Sequence, residues 1–396
     1  MEDLTPRVLV VAPYTPVADP DHGSAVALRG ALRSMVDRTS VVIVHPDEPG
    51  RVIDPALADR AVAVATFPKR DDGFVPRRDL PALLRGRSLR STSIDRSALS
   101  ALVRRLVVEH RIDVVRAEAV EVGDVLPDVS PEVRTVLVVY EPARSIEPVR
   151  PPTPSVGNRL VSRLDTRATI RHEADLVGQA DLVVALTEDD SRALASSEDH
   201  PPVTVIPLGW DVPATPIDSP VDSVVVFVGN FMHQPNVDAA IRLASSIFPL
   251  VTTTRPGTEL RLVGPQPPPA VRRLETPDIV VTGRVDDVAH HLAAASVVVA
   301  PLHSGGGSRI KVLEALAAGA ALVATPLALS GVDAPDDAVT VATSDDDFAN
   351  AVVALLDDPA RRRAQGLAAH RWARSNLSWD AVTERHLARY AAVLRR

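Results

Sequence analysis

Short runs of Val, Ile, Leu and Ala recur along the chain, each followed by a longer stretch where apolar residues return every three or four positions. The short runs are apolar throughout instead of alternating, as strands are when helices cover both faces of a parallel sheet. Alternation with helical patterns predicts sheets wound by helices. In the first half the strand candidates are Arg7–Ala12, Thr39–Val44, Ala61–Ala65, Asp113–Ala117, Val133–Val139, Asp181–Leu186 and Val203–Ile206. In the second half they are Ser223–Val228, Glu259–Val263, Ile279–Thr282, Ser296–Ala300, Ala321–Ala324 and Ala338–Val341. Between the halves, "GWDVPATPIDSPVDS" (Gly209 to Ser223) is rich in Pro and Asp, lacks periodicity, and is expected to link two domains. Trp379 to Leu394 forms an amphipathic helix beyond the second sheet. The pattern predicts an α/β protein of two doubly wound parallel-sheet domains over 1–212 and 213–377, with a C-terminal helix in 378–396. Its 396 residues agree, since single cores rarely grow past about 250–300 residues.

Composition narrows the class. A hydrophobic share of 45% fills two cores, and a net charge of −8 argues against a nucleic-acid binder, which usually carries a basic domain. Without cysteine, the chain has neither disulfides nor thiolate metal sites. Met1 to Pro6 is acidic and polar, unlike a signal peptide. No apolar run reaches the roughly 18–20 residues that span a bilayer, the longest lying around Leu292–Leu302. These features predict a soluble, cytoplasmic protein.

Two such domains facing each other leave a cleft between the carboxyl ends of their sheets, where ligands of open parallel sheets bind. Candidates therefore sit just after strands. Gly23 and Ser24 open the helix Ala25–Met35, Tyr140 and Glu141 follow Val139, Gly229 and Asn230 follow Val228, and Gly283, Arg284 and Val285 follow Thr282. Directly after "SVVVAP" comes "SGGGSRIKVLEALAAG", Ser304 to Gly319. A glycine-rich loop entering a helix presents backbone N–H groups and the positive helix end, a ready anion site. Gly305, Gly306 and Gly307 allow close approach, Ser308 can cap the first turn, and Arg309 and Lys311 bring the cations a diphosphate needs. Lys311 is one of only two lysines, with Lys69, among 43 basic residues, so a compact point charge is selected here. Glu314 shares its helical face and is placed to accept hydrogen bonds from ribose hydroxyls. The plain alternative is an N-capped helix with a Lys311–Glu314 surface salt bridge.

"SGGGSRIKVLEALAAGAALVAT" resembles the donor-binding segment of GT-B-fold glycosyltransferases, specifically the large retaining family four. The likeness continues through "VVFVGNFMHQPNVDAAIRLA", "LRLVGP" and "VVTGRVDDVAHHLAAASVVVAPL" in the expected order. In the first half, "VLVVAPYTPVADPDHGSAVALRGALRSM", "QADLVVALTEDDSRAL" and "VIPLGWD" resemble the acceptor domain. Membership implies two Rossmann-like domains, with the C-terminal helix crossing back to the first. It also implies a nucleotide-diphosphate sugar as co-substrate with no other cofactor and no metal, and transfer with retention by front-side displacement within the ion pair. Catalytic candidates are Arg309, Lys311, Glu314, Tyr140 and Glu141. The donor side adds Gly229, Asn230, His233, Gly283–Val285 and His303–Ser308, with the base near Gly283–Val285. The family's Glu, seven residues, Glu pattern has Gly306 at its first position, as in a Gly-rich subset, and Tyr140 stands where a His is common. A GT-B nucleotide-sugar 2-epimerase and a non-catalytic partner subunit are the alternatives.

His233 and His303 alone among the histidines follow second-domain strands, whereas His290 and His291 fall mid-helix. The acidic clusters Asp286–Asp287 and Asp345–Asp347 sit at helix starts, where they complement the macrodipole and need no metal. Neither a phosphate-loop lysine pattern nor a dinucleotide glycine pattern follows the first strand. Arg159, Arg163, Arg167 and Arg171 recur every four residues after a Pro-rich stretch, Glu147 to Ser155, and form either a solvated face or a site for an anionic acceptor or lipid headgroup. Arg77 to Arg90, with Leu80, Leu83, Leu84 and Leu89 interleaved, is a second basic segment suited to peripheral membrane contact, though Pro81 and Gly86 weaken it as a helix.

Overall fold

The computed structural model describes residues 5–20, 23–70, 74–145, 156–195, 201, 203–217, 223–305 and 310–395, with backbone alone for 156–159. The chain divides into two compact units, one of Met1–Gly209 with Val382–Arg396 and one of Trp210–Ala381.

The first unit is built on a seven-stranded parallel sheet: β1 (Val8–Val11), β2 (Val41–Asp47), β3 (Ala63–Pro68), β4 (Val114–Glu118), β5 (Arg134–Val139), β6 (Leu182–Ala185) and β7 (Val203–Val205). Their order is β3-β2-β1-β4-β5-β6-β7, with Val8 in register with Val41 on one side and Val114 on the other. The second unit holds six parallel strands: β8 (Val224–Val228), β9 (Glu259–Val263), β10 (Ile279–Gly283), β11 (Val297–Ala300), β12 (Leu322–Ala324) and β13 (Thr340–Val341). Their order is β10-β9-β8-β11-β12-β13. Each apolar run yields a strand. Inner strands β1, β6 and β11 are buried at every residue, whereas the edge strands β3 and β13 keep exposed positions because nothing pairs beyond them.

Helices follow from local chemistry. Arg96–His110 starts where Asp95 accepts the Ala98 N–H at 3.1 Å, buries Leu99, Val103, Leu106 and Val107 along one stripe, and stops at Arg111 in the left-handed region. Asp345–Asp357 starts where Ser344 accepts the Asp347 N–H, and buries Phe348, Val352 and Leu355. The aspartates at its start serve the helix: Asp345 pairs with Arg242, and Asp287 accepts the Ala289 N–H in the same manner.

The segment expected to link the two domains is docked at its start. Trp210 N–H donates to Leu377 O at 2.6 Å, Ile217 N–H to Ala318 O at 2.8 Å, and His370 Nε2 meets Pro213 O at 2.8 Å. Extended proline-containing chain satisfies its remaining donors and acceptors this way.

The helix Trp379–Leu394 enters the first unit at Val382 and buries Val382, His386, Tyr390 and Val393 there. Tyr390 accepts a hydrogen bond from the Arg116 guanidinium at 2.8 Å. Arg116 and Glu118, both on β4 and almost wholly buried, form an ion pair beneath that helix. Burial by itself would pull the Arg116 pKa down, but Glu118 holds it raised and keeps the guanidinium charged. Removing one partner of a buried pair strands the other charge, which costs about 3–5 kcal/mol. Glu118→Leu is expected to lower urea stability by that amount, and Tyr390→Phe by about 1.5–3 kcal/mol, since its hydrogen bond is to a charged group. Unchanged urea midpoints in both variants would mean that the pair does not hold the helix in place.

Candidate active site

In an open parallel sheet, ligands gather outside the carboxyl ends of the strands at the point where strand order reverses. In the second unit that point lies between β8 and β11. Gly229 is buried after β8, and its N–H donates to Val263 O at 2.9 Å. Gly264, after β9, donates in turn to Gly283 O at 3.2 Å. A Cβ at Gly264 would overlap the Gly229 carbonyl, so only glycine permits these loops to stack. Sequence reading passed over Gly264. Gly283 ends β10 with φ of 71°, followed by exposed Arg284 and half-buried Val285, which packs on the core.

On the other side of the reversal, the loop after β11 is pinned through its carbonyls. Arg242 donates to Pro301 O at 3.2 Å and Thr325 to Leu302 O at 2.7 Å, leaving His303 and Ser304 exposed. Gly305 has φ of 101°, and a Cβ there would lie 2.8 Å from Pro235 Cγ. That contact joins the β11 loop to the start of the helix Gln234–Arg242, where exposed His233 and Asn230 also stand. Asn236 Nδ2 fixes the turn by donating to Asn230 O at 2.7 Å. Gly306, Gly307, Ser308 and Arg309 lie outside the described residues.

The helix Ile310–Ala318 buries six of its nine residues, Val312, Leu313, Ala315, Leu316, Ala317 and Ala318. Lys311 and Glu314 are the ionisable residues on this apolar element, three apart and half-buried on one side. Burial pushes the Glu314 carboxyl up to about 7, and the Asp287 carboxylate adds to it. Asp287 belongs to the turn after Gly283–Val285, so Glu314 lies near the β10 loop. Among the described residues, no hydrogen bond or ion pair reaches the Glu314 carboxyl, and the expected alternative of a Lys311–Glu314 surface bridge is not formed. His290 and His291 lie on the helix Val288–Ala293, with rings edge to face 5.8 Å apart.

The first unit has its own reversal, between β1 and β4. Gly23 starts the helix Gly23–Val36, two residues earlier than expected, and the Ser24 side chain hydrogen-bonds Tyr14 in the β1 loop. Across the reversal stands Glu118, the last residue of β4, a carboxylate that sequence reading left unassigned. Tyr140 directs its hydroxyl to Glu118 Oε2 at 2.9 Å, and burial raises the phenol well above its usual pKa. Ala119, next to Glu118, holds a φ of 97°, a backbone state that side chains with a Cβ rarely adopt and that gathers at functional sites. Glu141 is exposed. Glu173, also missed, accepts the Ala143 N–H at 2.9 Å, and burial pushes its carboxyl up to about 7. Arg163 and Arg167 are exposed on the helix Val156–Gln179, while the side chain of Arg159 and residues 147–155 lie outside the described residues.

Residues 222–358 match the family model for glycosyl transferases group 1. The matched residues lie within the second unit. A GDP-mannose-dependent monoacylated alpha-(1-6)-phosphatidylinositol monomannoside mannosyltransferase of Corynebacterium glutamicum is 30% identical over 214 residues, 47% of this chain. The match spans 55% of that relative's length. Solved structures share the two-sheet GT-B fold: sucrose-phosphate synthase of Thermosynechococcus elongatus superposes at a TM-score of 0.66 with 15% identity, covering 98% of this chain and 99% of its own. Anabaena HepE in complex with UDP and glucose superposes at 0.59 with 15% identity, covering 98% and 100%. No helix among the described residues is long and apolar enough to cross a membrane.

The Glu314 carboxyl makes the site sensitive to pH. With its pKa near 7 it is about half protonated at neutrality, and any ligand group that donates a hydrogen bond to it favours the ionised form. Binding of a nucleoside diphosphate is therefore expected to release up to about half a proton at pH 7 and to tighten as pH rises from about 6 to 8. Calorimetry in buffers of different ionisation enthalpy measures the release. Proton uptake, or a Glu314→Gln protein with the same pH dependence, would remove Glu314 from the binding site.

Proposed function

We propose that this protein is a glycosyltransferase that moves a sugar from a nucleoside-diphosphate donor to an acceptor hydroxyl. The observation that carries this reading is the Glu314 carboxyl, without a partner among the described residues, on one side of a buried helix with Lys311, at the strand reversal of a unit that matches the group 1 family model. Ribose hydroxyls donate to Glu314. Lys311 and Arg309, with backbone N–H groups of the loop Gly305–Ser308, take the diphosphate, and the base lies by Gly283–Val285. The structural neighbour HepE, seen with UDP and glucose, supports a nucleotide sugar as co-substrate.

Chemically, the bond from the anomeric carbon to the diphosphate oxygen breaks and its electron pair leaves with the diphosphate. The acceptor oxygen bonds the same carbon from the same face, retaining configuration, and its proton passes to the departing phosphate oxygen. Such a step is driven by electrostatic stabilisation of the leaving group. Cations of the chain supply it, so no metal is required in this scheme. Mass spectrometry of products from a nucleotide-sugar panel identifies donor and acceptor. Donor turnover to a new sugar nucleotide with no acceptor present would instead reveal an epimerase.

Lys311→Ala removes a charge-assisted contact and is expected to weaken nucleoside-diphosphate binding by about 1.5–3 kcal/mol, read by calorimetry on a protein with unchanged melting. Because Gly306 stands where the family has a carboxylate, the free diphosphate should bind at least as tightly as the intact nucleotide sugar. A sugar donor binding over about tenfold tighter would show that another side chain, His303 or His233 first, grips the sugar.

Chelation tests the metal-free scheme separately. Turnover is expected to persist in excess EDTA. Loss of most activity, restored by Mg²⁺ or Mn²⁺, would overturn it.

A further inference from the structure

Two basic segments that are far apart in the sequence come together on the first unit. The helices Pro76–Leu84 and Leu89–Thr92 lie against the helix Val156–Gln179 or its neighbours. Gly86 is covered by the Arg171 stem, whose Cδ would be 2.8 Å from a Cβ there, and Leu89 N–H donates to Asp165 Oδ1 at 2.8 Å. Ser91 Oγ and His172 Nδ1 close the contact at 3.2 Å. The segment Arg77 to Arg90 and the arginine stripe therefore share one surface.

That surface is apolar as well as basic. Leu84 is 75% exposed, Leu160 59%, Phe74 43% and Leu80 38%. On the first helix Arg77, Leu80 and Leu84 recur at the spacing of one side, and on the second Leu160, Arg163, Arg167 and Arg171 do the same. Most nearby carboxylates are engaged: Asp79 with Arg78, Asp124 with Arg87 and His172, Glu121 with Arg90, and Asp165 with the Leu89 N–H, leaving exposed Asp175 beyond the end of the stripe. Among the described residues, no carboxylate pairs with Arg77, Arg85, Arg163, Arg167 or Arg171. A chain with net charge −8 thus keeps a positive face studded with leucines.

A polyanion alone accounts for the arginines but not for the exposed leucines. A bilayer with anionic headgroups accounts for both, because apolar side chains enter the headgroup boundary while arginines stay among the phosphates. We propose that this face docks the protein on an anionic lipid bilayer, with Leu80, Leu84, Leu160 and Phe74 at the acyl boundary. The inference stands apart from glycosyl transfer, since vesicle binding is measured with neither donor nor acceptor.

The experiment is flotation of the full chain with phosphatidylcholine vesicles, with and without about a third phosphatidylglycerol, across salt concentrations. Binding is expected to need the anionic lipid and to weaken with salt. Leu80→Ser with Leu84→Ser, and separately Arg163→Gln with Arg167→Gln, are expected to lower partitioning roughly tenfold each at unchanged melting temperature. These sites are exposed, and single Leu84→Ser and Arg167→Gln proteins, expected to lose part of the binding, serve should a double variant unfold. No binding to anionic vesicles, equal binding to neutral ones, or wild-type partitioning by the folded variants would overturn the proposal. Binding of RNA or an acidic polypeptide without vesicle binding would overturn it too.

Discussion

The loops that close β8, β9 and β10 can stack only because one backbone passes directly over another at Gly264. The contact with the Gly229 carbonyl leaves no room for a side chain, and the loops after β8 and β9 are each hydrogen-bonded to the end of the neighbouring strand. Protein interiors do not stretch to accommodate such overlaps. The position of Asn230 and His233, and of the turn that carries Arg284 and Asp287, therefore follows from a single missing Cβ. On the far side of the reversal, Arg242 and Thr325 hold the next loop by the Pro301 and Leu302 carbonyls.

The first unit reaches the same end by a different device. Its strand reversal is organised around charge, with Arg116 and Glu118 buried together and Tyr140, Tyr390 and Tyr14 around them. A buried pair of this kind gives little net stability compared with apolar packing, but it penalises any arrangement that separates its members. The strained Ala119 sits directly beside it, as expected where surrounding structure over-determines the backbone.

Much of this was legible in the amino-acid order because parallel sheets write themselves as unbroken apolar runs. Strands from Val8–Val11 to Thr340–Val341 appear where Val and Ile cluster, and the loops worth inspecting follow at once. Lys311 and Glu314 stood out by rarity and spacing. What stayed hidden depends on distant partners. Glu118 looked like the tail of a strand, since nothing local says that Arg116 neutralises it or that Tyr140 turns inward to meet it. Glu173 sits mid-helix, and only burial beside Ala143 distinguishes it from a surface glutamate. Gly264 is one glycine among 19 until the neighbouring loop is placed beside it. Pro and Asp signalled irregular chain, as the described part Gly209 to Ile217 is, but not that Trp210 and Ile217 would find backbone partners on the second unit.

The helix Trp379–Leu394 gives the protein an order of assembly. The first unit is interrupted in sequence by the whole of the second, and Tyr390 reaches Arg116 across 274 positions. On a ribosome, the sheet from β1 to β7 emerges early, with the Arg116–Glu118 pair lacking its covering helix until translation has passed Val382. The second unit, continuous from Trp210 to Ala381, has all of its own segments before then. Of the two units, the one whose sheet is made earlier is thus the one finished later, and a nascent chain must carry a partly uncovered buried charge while the whole second unit is synthesised.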